Sequence, residues 1–309
     1  MLLAGTLAAI LLRATLSPWV ATATSPPLAF IRTSAADRHF RDAGGRVRIF
    51  HGVNRVKKAF PWYFESESAF PHHGADRVAG MGLNIVRLGW MWSGFAPAPR
   101  VYNMTYANIV KRTVRALNAK GVYVLLDMHQ DVLSSEFCLY DGMPRWVVAK
   151  STPRHAFPWP LKGNCSSRGW MINSLSEAAA QAYGDLYDNV GHDAATGATG
   201  MLDDLVAFWV NSAEFWKDEP GILGYELINK PFAGDFFKDP TILLPGNAGS
   251  KNLARMYDAI SAAVRPRDPR HIVFFEPVTW GMVLNGKIVG SGFSHVPGGD
   301  EFKNASALS

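Results

Sequence analysis

Five short apolar runs, each closing on polar residues and alternating with helical patterns, constrain the fold of this chain more than any other feature. The first, RVRIFHGVNRV at 46–56, alternates as a strand does and ends at His51 and Asn54. LNIVRLGW at 83–90 and VYVLLDMHQD at 122–131 are apolar on both faces, as strands covered by helices must be. ILGYELIN at 222–229 and HIVFFEP at 271–277 complete the set. Between them, 75–81 reads as a short helix stopped by Gly82. From Tyr106 to Lys120 the spacing sets Ile109, Val110, Thr113, Val114 and Leu117 on one helical face before Gly121, and further helices are expected at 202–216 and 252–264. Strand and helix in alternation make a parallel βα repeat.

Two architectures build such a repeat, a (β/α)8 barrel and a doubly wound sheet. Polar residues gather at the carboxyl ends of the runs: Asn54, Arg87, His129, Asp131, Asn229, Lys230 and Glu276. A barrel collects such ends around one mouth, whereas a doubly wound sheet concentrates its site at one switch point, so the distribution favours the barrel. No glycine-rich phosphate loop follows the first strand, which leaves a nucleotide-binding reading without support. A long insertion rich in proline and aromatic residues runs from about 132 to 200, and Asn285-Gly286 predicts a small ribbon within 282–289. The tail SGFSHVPGGDEFKNASALS opens a sixth strand. The expected fold is therefore of the (β/α)8 TIM-barrel type, C-terminally incomplete, with about five to six of eight strands.

With 309 residues, 48% of them apolar, the chain can bury a sizeable core. Its net charge of +5 is spread without a basic block, which gives nucleic-acid binding little support. Residues 1–23 read as a signal peptide, with an apolar stretch from Leu2 to Leu12 and a small-residue cleavage site at Ala21-Thr22-Ala23. Residues 24–45 form an N-terminal lead-in and 46–309 the barrel domain. The leader is too short to span a bilayer and no later run replaces it, so no transmembrane segment is expected. Sequons at Asn103, Asn164 and Asn304 agree with a secreted or lumenal location. In such a compartment the only two cysteines, Cys138 and Cys165, would pair, and closing that loop would contribute about 3 kcal/mol.

Several of these runs carry a resemblance. GVNRVKK, NIVRLGW, LLDMHQDV, GYELINKPF and FFEPVTWG occur in the order found in glycoside hydrolase family 5, and from about Arg46 onward the chain is most similar to its endoglycoceramidase branch. The resemblance implies retaining cleavage of the β-glycosidic bond between glycan and ceramide by two carboxyl groups, one nucleophile and one acid/base. It also implies a glycosphingolipid or oligosaccharide partner, allows peripheral contact with a lipid surface, and brings no cofactor. The family's acid/base glutamate sits in an Asn-Glu-Pro sequence after the fourth strand, and here that sequence is Asn229-Lys230-Pro231. The family's nucleophile ends the seventh strand and is expected to be absent from these residues.

Asn229 resembles the asparagine that meets the sugar 2-hydroxyl, and Arg87 the arginine that supports the catalytic carboxylate. His129, Asp131 and Lys58 resemble sugar-binding positions, although Lys57 beside Lys58 leaves that match open. Glu226, four residues before Lys230 on an extended run, is expected roughly 13 Å deeper and out of reach of the mouth. Glu276 reads as a structural hydrogen-bonding residue. His129-Gln130-Asp131 lacks a third ligand at zinc spacing, so no metal is expected. Trp90, Trp92, Phe95, Phe157 and Trp159 read as core rather than as the lining of a cleft. Read alone, the substitution at residue 230 predicts a chain of glycosidase ancestry that is impaired or inactive, with a noncatalytic glycan or glycolipid binder as the alternative.

Overall fold

The computed structural model describes residues 27–64, 73–138, 142–278, 283–284, 287–288 and 290–309. The signal-peptide reading of 1–23 lies outside the described residues. The chain opens with an antiparallel sheet of three short strands, β1 (Arg32–Ser34), β2 (His39–Arg41) and β3 (Val47–Arg48). Six parallel strands follow: β4 (Gly52–Arg55), β5 (Ile85–Gly89), β6 (Tyr123–Asp127), β7 (Ile222–Glu226), β8 (Ile272–Phe275) and β11 (Ser306–Leu308). Their spatial order is their order in the chain, with β11 beside β8. A doubly wound sheet would reverse that order at its switch point, so the sequential winding is that of the barrel. Strands β9 (Val283–Leu284) and β10 (Lys287–Ile288) form the expected separate ribbon, whose turn residues 285 and 286 lie outside the described set.

Strand alternation separates two apolar layers. Val86, Leu88, Val124, Leu126, Tyr225, Val273 and Phe275 pack outward against the helices, while Tyr123, Leu125, Leu223, Ile272 and Phe274 fill the inside. The covering helices are α1 (His73–Gly80), α2 (Met104–Asn118), α3 (Glu177–Tyr187), α4 (Met201–Trp216) and α5 (Ala254–Val264). Asn103 caps α2 by accepting from the Tyr106 N–H. Gly224 lets β7 approach β8, because a Cβ there would fall 2.1 Å from the Ile272 carbonyl oxygen. Of the five aromatics read as core, Trp90, Trp92 and Phe95 are fully buried and Phe157 packs against the same cluster. Trp159 is the exception, 44% exposed and stacked on His155.

Two expectations need correction. The single strand expected over 46–56 is two strands in different sheets. Val47–Arg48 pairs antiparallel with β2, whereas Gly52–Arg55 pairs parallel with β5, and the three residues between them belong to neither sheet. Asn84 pins the link between them, accepting from the His51 N–H and donating to the Ile49 carbonyl. Phe40 and Phe50 then pack against Phe274 and Tyr123, so the lead-in closes the amino-terminal end of the strands. The supposed insertion at 132–200 also holds α3, capped by Ser176 and buried along most of its length. The disulfide Cys138–Cys165 closes the aromatic part of that segment, as the two cysteines suggested.

A buried guanidinium fixes the sixth strand. Arg265 donates to the His271 carbonyl at 3.0 Å, the Ala305 carbonyl at 2.6 Å and the Ser306 hydroxyl at 3.1 Å, and it covers the Phe302 ring. Burial pushes its pKa down to about 10 against the pull of Asp268. Arg265→Leu strands these acceptors, and urea unfolding is expected to show a loss of about 2 to 3 kcal/mol. Amide exchange at 306–308 should quicken in the same variant.

Candidate active site

The site is built on the inward positions at the carboxyl ends of four adjacent strands. Arg87 of β5 stands at its centre. Its Nη1 lies 2.8 Å from Asp127 Oδ2 of β6, its Nε donates to Glu226 of β7, and Nη2 donates to Asn229 Oδ1 at 2.9 Å. The same Nη2 lies 3.6 Å from Glu276 Oε1, beyond β8. Burial alone would lower the Arg87 pKa, but the charges of Asp127 and Glu226 outweigh it and raise the value.

Glu226, 3% exposed, is paired there with Arg87. β7 ends at Glu226, backbone pairing continues from Leu227 to the Phe274 carbonyl and from Asn229 to the Met128 carbonyl, and the chain then bends so that Lys230 takes φ 49°. That left-handed conformation costs a non-glycine residue on the order of 1 to 2 kcal/mol and must be held. The Lys230 N–H donates to Glu276 Oε2 at 2.9 Å, and its carbonyl accepts from Gln130 Nε2 at 2.9 Å. Gln130 is fully buried and in turn accepts from Tyr183 Oη and from the Leu133 N–H, both at 2.6 Å. Glu276 thus has the hydrogen-bonding role expected of it.

A second charged layer lies toward solvent. His129 Nδ1 is 2.7 Å from Asp127 Oδ2, and its Nε2 is 3.8 Å from Asp131 Oδ1. Asp131 also receives Lys58 through an ion pair and Lys230 Nζ at 3.5 Å. Burial would raise the Asp131 pKa, but hydrogen bonds from His129 and Lys58 prevail and hold it well below the usual carboxylate range. Lys230 Nζ sits 4.9 Å from the centre of the Trp170 ring. Beside it lies a pocket of about 210 Å³ walled by Trp170, Met171, Tyr183, Pro231 and Phe232.

All six site residues read from the sequence, Lys58, Arg87, His129, Asp131, Asn229 and Lys230, belong to this one network. Asn229 is buried with both ends of its amide committed, Oδ1 to Arg87 and Nδ2 to the Gln130 carbonyl at 2.6 Å. Four participants were missed. Asp127 looked like one more residue of an apolar strand, although its inward register with Arg87 was available from alternation. Gln130, Trp170 and Tyr183 offered no comparable signal, because they depend on how the 132–200 segment folds over the mouth. A seventh strand with its nucleophile has no counterpart among the described residues, and no cluster there has the makeup of a metal site.

Burial and the neighbouring charge of Glu226 push the Glu276 pKa up to about 8. The folded state therefore binds a proton there that the unfolded chain, with an ordinary carboxyl near 4.5, has released. This group's contribution must fall as pH rises from about 4.5 to about 8. Glu276→Gln removes that slope, so thermal unfolding should show the variant gaining on the parent between pH 5 and pH 8.

Comparison with known proteins agrees with this geometry. Residues 50–301 match the family described as Cellulase (glycosyl hydrolase family 5). The chain is 38% identical over 299 residues to an endoglycoceramidase of Hydra vulgaris, covering 91% of this chain and 54% of that protein. An endoglycoceramidase of Cyanea nozakii is also 38% identical, over 286 residues that cover 87% of this chain and 54% of that one. Among solved structures, endo-glycoceramidase II from Rhodococcus sp., as its lactosyl-enzyme intermediate, superposes with a TM-score of 0.68 at 24% identity. That match covers 87% of this chain and 58% of the other, and it speaks to the fold alone. The chain spans about half the length of the curated relatives it matches. A family match that runs through the strands whose carboxyl ends meet at Arg87 makes this chain a member of glycosyl hydrolase family 5.

Proposed function

We propose that this chain holds the glycan of a glycolipid in an endoglycoceramidase-like site whose acid/base step has been lost. The family membership and the endoglycoceramidase relatives support a glycolipid-directed glycosidase ancestry. The observation that carries the loss is Lys230, which stands where the family has its acid/base glutamate and whose ammonium is engaged by Asp131 and Trp170.

Retaining hydrolysis needs a group that gives a proton to the leaving oxygen and then takes one from water. An alkyl ammonium, with an ordinary pKa of about 10.4, is a far weaker acid than a glutamic acid tuned to about 6, and it has no lone pair with which to begin the second step. Losing a general acid costs about 10² to 10⁴ in rate, or roughly 3 to 5 kcal/mol of barrier. The protonated carboxyl of Glu276 is no ready substitute, since it is engaged by the Lys230 N–H and by Arg87. What survives is a layered set of donors: Lys58 and Lys230 at the surface, with Arg87, His129, Asp131 and Asn229 ordering them from beneath.

Passage through the secretory pathway belongs to the same reading. It is supported by the Cys138–Cys165 disulfide and by the exposed positions of Asn103, Asn164 and Asn304, each in a glycosylation sequon.

Two measurements test the proposal. Incubation of the intact chain with a fluorescent glycosphingolipid should release no glycan above background, and strong turnover would overturn the loss of the acid/base step. Titration calorimetry with lactose should give binding that His129→Ala abolishes, since that change removes the link between Asp127 and Asp131.

A further inference from the structure

The two lysines at the mouth share one carboxylate. Lys58 and Lys230 come from different turns and converge on Asp131, whose side chain is 2% exposed while theirs are 47% and 46% exposed. Of the remaining acids, Asp127 is fully buried, Glu226 is 3% exposed and Glu276 is 15% exposed, all three beside Arg87. The two ammonium groups are therefore the most exposed charges of the cluster. One carboxylate cannot neutralise both, and His129 also draws on it.

A glutamate at residue 230 would present the opposite face. It would place a second carboxylate beside Asp131, and an anionic ligand would be repelled. With lysine, the local charge differs by two units at the same point. The adjoining pocket of about 210 Å³ has room for one sugar ring, offers the Trp170 ring and Phe232 as apolar walls, and has Lys230 and its partner Asp131 in its lining. Sugar rings pack an apolar face on such surfaces, and a carboxylate or sulfate on the ring would meet Lys230 in the pocket lining, with Lys58 converging on the neighbouring Asp131 carboxylate.

We propose that this pocket binds acidic sugars, carrying a carboxylate or a sulfate, in preference to their neutral counterparts. The inference rests on the glycan-holding reading and narrows it: the lysine that ends acid/base chemistry supplies a new specificity at the same position.

Matched probes test it by titration calorimetry on the intact chain. Methyl β-glucoside, methyl β-glucuronide and methyl β-glucoside 6-sulfate differ only at the sixth carbon, and lactose reports neutral glycan binding. The acidic probes should bind at least about tenfold more tightly than the glucoside at low salt, and the gap should narrow as salt screens it. Tighter binding of the glucuronide alone assigns a carboxylate, and of the sulfate alone a sulfate. Lys58→Gln and Lys230→Asn should each reduce the preference to less than about threefold; asparagine tolerates the left-handed backbone at 230, and Lys58→Gln leaves that turn untouched. Equal binding of all three probes, or a preference that survives both substitutions, overturns the inference while lactose binding keeps the broader reading. Failure of lactose and of every probe to bind overturns both.

Discussion

The guanidinium of Arg87 is the contact on which the rest of the site depends. One side chain on β5 touches carboxylates on β6 and β7, the carboxyl after β8 and the amide of Asn229. A planar fork with five donors can serve partners in several directions, which an ammonium on a flexible stem cannot do. Burying several acids in one place is costly unless each is paired, and here a single cation and one retained proton on Glu276 keep the layer tolerable. The strand ends are consequently locked together by charge rather than by apolar packing. Below that layer the apolar interior takes over, with Leu125, Leu223 and Phe274 sealed by Phe40 and Phe50.

Above Arg87 the same logic runs outward through His129 to Asp131 and ends at two lysines. Charge thus alternates from the centre to the surface: cation, acid, imidazole, acid, cation. The ammonium of Lys230 fits this ladder because Asp131 accepts its charge and Trp170 offers its ring face. The strained turn is supported independently, through backbone contacts of Lys230 that any residue could make. Backbone support of the turn is thus separate from the identity of the side chain at residue 230.

Two differences between expectation and structure share a cause. The run at 46–56 carried one alternating pattern, yet its two halves face neighbours of opposite direction, a fact held by β2 and β5 and not by the run itself. The left-handed bend at Lys230 was equally out of view, since it is held by Gln130 and Glu276. The helix α3 was overlooked in a segment dominated by proline and aromatic residues, although Ser176 and the alanines after it are a legible start signal. In the first two cases the deciding partner was out of view, whereas α3 was a local signal left unread.

By itself the sequence determined the parallel βα repeat, its winding into a barrel, and the placing of Arg87, His129, Asp131, Asn229 and Lys230 at strand ends. These follow from periodicity, turn signals and residue identity, all of which are local. Only the tertiary structure decided that Glu226 and Glu276 share the arginine, that Gln130 and Tyr183 hold the turn, and that the solvent face of the cluster is cationic. Those outcomes depend on the relative depth of groups brought together from strands and loops far apart in the chain, and burial is a property no residue carries alone.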